Sequence, residues 1–169
     1  MSQWTLVAGI IRIDSLDCEV KNVTVKDFKE KLKNIFGETC NWNSSDKKIK
    51  ACTVPKGSEG SLQYKINKTG SDGSISWGEI SIYGDLRNYE DVEEIFNWVK
   101  KCCSHNNLFW IRQCSVQIEV EYIAKYIIFV NEDNIYCKTI SEYTYTSGKD
   151  RKSGYKLVDS KFKFEGSLN

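Results

Sequence analysis

The hydrophobic period of this chain changes several times, and each change marks an element. Residues 4 to 13, "WTLVAGIIRI", form a short, mostly apolar run rich in Ile and Val, the pattern of a strand with both faces largely covered. From Thr24 the period lengthens. Val25, Phe28, Leu32, Ile35 and Phe36 recur at helical spacing, Thr24 stands at the N-cap with Asp27 three residues on, and Gly37 sits where a helix should stop. The lysines at 26, 29, 31 and 33 fall on the other side, an ordinary solvated face. Residues 38 to 53 are polar with no clear period and read as a loop with one short strand near Cys52.

Period two then takes over. "SLQYKIN" and "ISWGEISIY" read as strands joined by the turn "KTGSDGS", which makes a hairpin. Trp77 differs in parity from Ile80 and Ile82, so a bulge is expected near Gly78. A second helix follows, capped by Asn88, with Val92, Ile95, Phe96 and Val99 as its apolar stripe, continued by Cys102 or Cys103. Residues 109 to 122 alternate cleanly. Trp110, Cys114, Val116, Ile118, Val120 and Tyr122 face one way, and Gln113, Ser115, Gln117, Glu119 and Glu121 make a wet face. "AKYIIFV" is another strand, and residues 135 to 146 and 155 to 164 are two more around the turn "SGKDRKSG".

The first six elements run β-α-β-β-α-β, the order of the ferredoxin-like split β-α-β motif. The expectation is one α+β domain over residues 1 to 169. Its ferredoxin-like core covers about 4 to 122, and a C-terminal antiparallel β meander over about 123 to 165 extends the sheet or folds back over it.

Composition narrows the function classes. With 24 basic and 23 acidic side chains the formal net charge is +1, which argues against a polybasic binder of double-stranded nucleic acid and equally against an acidic DNA mimic. The N-terminal stretch reads as a strand and not as a signal peptide, and no run approaches the roughly 18 apolar residues of a membrane span, so a cytoplasmic protein with no membrane partner is expected. Seven cysteines without a C-x-x-C pair fit that compartment as reduced, buried thiols and not as a disulfide framework. A zinc site would need four soft ligands brought together from scattered positions, and the one histidine, His105, has no nearby nucleophile pattern, so no metal, no cofactor and no Ser-His-Asp or Cys-His catalytic group is expected. A non-enzymatic protein is the expectation.

One stretch asks for chemistry. "VPKGSEGSLQY" holds the chain's only proline, then two glycines around Ser58 and Glu59. With the hairpin turning around residues 69 to 74, position 68 lies near 75 and 60 near 83. The loop Lys56, Gly57, Ser58, Glu59, Gly60, Ser61 then meets Asp85, Arg87 and the start of the second helix. Backbone amides, two cations and a helix N-terminus can hold an anion there. The plainer reading is a turn: the glycines supply positive φ after Pro55, and Glu59, Asp85, Glu90 and Asp91 satisfy the cations and repel phosphate. A carboxylate pair, Glu59 with Asp85, leaves a metal-dependent hydrolase or nuclease at the 57 to 91 edge as the alternative. Trp42, in the polar loop, is either a lid over the core or an exposed aromatic for a partner or a base. Arg12 and Asp14 read as a local salt bridge.

Three blocks, "WTLVAGIIRID", "GSEGSLQY" and "YGDLRNYEDVEEIFNWVKK", carry a resemblance over residues 4 to 103. They are similar to small accessory proteins of tailed phages of low-GC Gram-positive bacteria, a group with no assigned chemistry, so no functional residue transfers. What the resemblance implies is a setting: counter-defence in the host cytoplasm. The partner is then a host defence protein that is occluded or a small anionic nucleotide signal that is sequestered, with a homo-oligomer also open.

Overall fold

The computed structural model describes residues 2–16, 30, 54–72, 75–104, 110–145, 153–159 and 162–168. Its strands are β1 (Trp4–Leu16), β2 (Gln63–Asp72), β3 (Ile75–Arg87), β4 (Trp110–Val120), β5 (Ala124–Asn131), β6 (Asn134–Tyr145), β7 (Ser153–Leu157) and β8 (Phe162–Ser167), with one helix among the described residues, α1 (Val92–Cys103).

All eight strands join one antiparallel sheet in the order β2-β3-β1-β4-β5-β6-β7, and β8 pairs β6 beside β7. This corrects the expected α+β, ferredoxin-like β-α-β-β-α-β core with an appended meander. The structure is a mostly antiparallel β-sheet, and the C-terminal strands are half of it. The cause lies in the turns. Residues 121–123 and 132–133 link β4 to β5 and β5 to β6. Links that short admit only hairpins, so the sheet widens strand by strand. Glu132 takes a positive φ of 55° in the second turn. The helix expected over 24 to 37 lies outside the described residues except for residue 30.

Alternation sets the two faces. On β1 the odd positions Val7, Ile11 and Ile13 are buried while Leu6 and Ile10 are exposed. On β4 the buried set is Cys114, Val116, Ile118 and Val120. Ile80, Ile82 and Leu86 of β3, with Ile128, Ile135 and Cys137 of β5 and β6, complete the covered face. Helix α1 lays Ile95, Phe96, Val99 and Cys103 into it, and Phe96 stacks on Phe164 of β8 at 5.5 Å. The segment 54–62 covers the same face over β3. Val54 and Leu62 are buried, and Gly84 leaves room for Ser61, whose carbonyl would lie 2.6 Å from a Cβ there.

The hairpin differs in detail from its expectation. Strand β2 continues through the predicted turn, so that Asp72 pairs Ile75 and Lys68 pairs Glu79, four residues beyond the predicted partner of Lys68. The bulge falls on the other strand, at Asn67, whose Nδ2 donates to Ser81 Oγ at 2.6 Å. The helix cap is Asp91, accepting from Glu94 N at 2.8 Å. Asn88 instead turns the chain out of β3 with a φ of 51°, and its N–H donates to Gln3 O at 2.7 Å.

Candidate functional site

The glycine loop lies against the end of β3. Lys56 and Ser61 form a β-bridge, and Leu62 N donates to Pro55 O at 2.8 Å. Gly57 N donates to Gly60 O, Ser58 N to Arg87 O at 2.9 Å, and Arg87 N to Glu59 O at 2.9 Å. Gly60 has a φ of 73° and lies so close to Asp85 that a Cβ would sit 1.9 Å from its carbonyl oxygen. Thus the structure brings Lys56 through Ser61 against Asp85 and Arg87, while Trp42 lies outside the described residues.

The contacts are those of a folded turn. Four amides of the edge donate within the chain, so they are not presented to a ligand. The Arg87 guanidinium donates to Glu59 in a half-exposed ion pair, and its Nε is buried without a hydrogen-bond partner. Asp91 caps the helix start, and Glu93 and Glu94 fill its first turn, so the dipole there is already met by carboxylates. Tyr89 donates to Glu94, and burial, then that bond, pushes its phenol well above the usual range. For the hydrolase alternative, Glu59 is taken by Arg87 and Asp85 is exposed. Among the described residues no three His, Cys, Asp or Glu side chains come together to hold a metal.

The larger feature is the other face of the sheet, which no described element covers. Cross-strand register places its side chains in rows. One row runs Lys65, Ser81, Ile10, Ser115, Phe129, Tyr136 and Glu165 from β2 to β8. The next runs Gln63, Tyr83, Ala8, Gln117, Ile127, Lys138 and Phe162. Leu6, Ile10, Tyr83 and Phe162 are 50%, 54%, 43% and 55% exposed, which is high for large apolar side chains on long paired strands.

Aromatic rings concentrate toward β6. Phe129 stacks on Tyr136 at 5.5 Å, Tyr136 meets Phe162 at 5.1 Å, and the Lys138 ammonium sits 4.3 Å from the Phe162 ring centre. Near the β4–β5 turn, Tyr122, Tyr143 and Tyr155 form an edge-to-face chain at 5.4 Å per step. Tyr122 holds a positive φ of 60° and its N–H donates to Tyr155 Oη at 3.2 Å. Its alternation with β4 therefore ends at Val120, and the predicted inward Tyr122 is on the surface instead.

A hollow of about 610 Å³ lies in this face over β1, floored by Ala8, Gly9 and Ile10 and walled by Arg12, Gln113 and Gln117. Beside it Asp14 is 6% exposed, 3.0 Å from Arg112 Nε and 3.5 Å from Arg12 Nε. The local Arg12–Asp14 pair is therefore joined by a second arginine, brought near by the register shift between Arg12 and Ile13 against β4. The wet face Gln113 to Glu119 was readable from alternation. Tyr83, Phe129 and Tyr136 were missed because their neighbours on this face lie on other strands, and pairing is what brings them together.

No protein-family model, curated protein or solved structure matches this chain. The fold defines it by class only, as a mostly antiparallel sheet protein with one face covered and one face left open by the described residues. No helix among the described residues is long and apolar enough to cross a membrane.

Proposed function

We propose that this chain is a non-enzymatic binding protein that inactivates a host defence protein by covering it, in the counter-defence setting that the resemblance of residues 4 to 103 implies. The open sheet face carries the reading. Exposed Leu6, Ile10 and Tyr83 lie among the polar side chains of Gln63, Ser115 and Gln117. Apolar and aromatic side chains interspersed with uncharged polar ones fit a protein interface, and tyrosine contributes large contact area at small entropic cost. The glycine loop contributes by holding the end of β3, not by touching the partner.

A second reading, capture of a small nucleotide signal, rests on the hollow beside Arg12. Its support is weaker because that one guanidinium lies against Asp14, and Glu79 also lines the hollow.

The test is purification of tagged chain from cells carrying a defence system against which it protects phage. A subunit of that system should co-purify at fixed ratio with wild type and with Arg87→Ala, and be lost with Ile10→Lys. A stoichiometric small molecule in the heat-treated supernatant, with no protein bound, would overturn the occlusion reading in favour of the second.

A further inference from the structure

We infer that, before it meets a target, the open face is covered by a second copy of the same chain, packed face to face about a two-fold axis running close to the strand direction through β4. This rests on the reading of that face as the binding surface and adds its free-state partner.

Area is the first reason. Seven strands about 4.8 Å apart, over about eight residues at 3.3 Å each, present roughly 750 Å². A stable interface needs about 800 Å² a side, and the face is of that order, with Leu6, Ile10, Tyr83 and Phe162 as its exposed apolar and aromatic members. Charge is the second. A net charge of +1 supplies no long-range repulsion between copies.

The pattern along the rows is the third and most specific. Strand β4 is the middle of the seven, so an axis along it lays β2 of one copy over β8 of the other. In the first row Lys65 then faces Glu165, and Ile10 faces Phe129. In the second, Tyr83 faces Lys138 and Ala8 faces Ile127. Opposite charges, a cation and a ring, and two apolar pairs all coincide, as an isologous contact requires. An axis across the strands would set Lys65 on Lys65 and lose each of these matches. Glu119 comes near its own copy at the axis, but Lys125 holds it at 2.8 Å within each chain. The hollow at β1 and β4 stays as a chamber between the copies, lined by Gln113, Ser115 and Gln117.

Sedimentation velocity on the full chain, from low to hundreds of micromolar, tests this. Wild type should run as two chains and Ile10→Lys as one, with unchanged circular dichroism. Lys65→Glu and Glu165→Lys should each weaken association by about tenfold, through two exposed pairs per dimer, and the double swap should restore it. Because both residues are exposed, these two variants do not depend on tolerance of the core. A wild type that is one chain at every concentration, a dimer indifferent to Ile10→Lys, or a double swap weaker than either single swap would each overturn the proposal. Failure here is separable from failure of the functional reading. A monomer whose protection is abolished by Ile10→Lys sinks the dimer alone, and a dimer broken by Ile10→Lys with protection intact sinks the functional reading alone.

Discussion

Gly60 and Arg87 meet in one turn and should behave as opposites. Gly60 occupies the left-handed region at φ 73°, and a methyl group there would collide with the Asp85 carbonyl. Gly60→Ala should therefore cost about 1 to 3 kcal/mol of stability, read as a lowered urea midpoint. Arg87→Ala removes a half-exposed pair with Glu59, worth about 0 to 1 kcal/mol, together with a buried Nε that has no hydrogen-bond partner. Its midpoint should barely move. A large loss for Arg87→Ala beside a neutral Gly60→Ala would mean that the guanidinium, and not the backbone, holds the edge. At this scale the sequence was informative about residue type and blind to use. Two glycines around Ser58-Glu59 announced a special backbone, but an amide donating inward and one offered to a ligand look the same in one dimension.

At the scale of elements, α1 depends on its first turn. Asp91 accepts from Glu94 N, and the apolar stripe through Ile95 and Val99 packs on the sheet. Asp91→Ala should cost about 0.5 to 2 kcal/mol by removing the cap. Chemical denaturation checks this, and a midpoint equal to the wild type would mean that Asp91 does not cap the helix. The helix itself was legible because its period is strong. Its cap was not, because Asn88 and Asp91 are equally good capping types and only the path out of β3 chooses between them. The hairpin shows the same limit. Alternation named β2 and β3, but Gly70 and Gly73 suggested an early turn. Strand β2 nonetheless keeps pairing through Gly70, beside the Trp77 ring.

For the whole molecule, the buried thiols and Tyr89 set the response to alkali. Burial raises Cys137 to about 12 from an ordinary 9.0 and carries Cys102 well above its usual range. The neighbouring Cys114 thiol, and then burial, does the same to Cys103. Each holds its proton more tightly folded than unfolded. Their contribution is complete below about pH 9, where unfolded thiols are still protonated, and is lost as pH rises through the folded values. Stability should therefore fall above about pH 9, and Cys137→Ser should flatten that fall. Stability unchanged between pH 8.5 and 10.5 would contradict the burial. The sheet's full width was the least legible property. Each C-terminal strand was visible in its own alternation, but order and register are properties of pairs. A β-α-β-β-α-β string suggested a compact core, while the 121–123 and 132–133 turns made one wide sheet.

In the proposed function the open face acts and the glycine edge supports it. Phage plating on cells carrying a susceptible defence system checks this with two double variants expressed at equal levels. Ile10→Lys with Tyr83→Ala alters only exposed residues of the open face and should abolish protection. Lys56→Ala with Arg87→Ala alters the edge and should leave protection at the wild-type level. Protection kept by the face variant and lost by the folded edge variant would contradict the account.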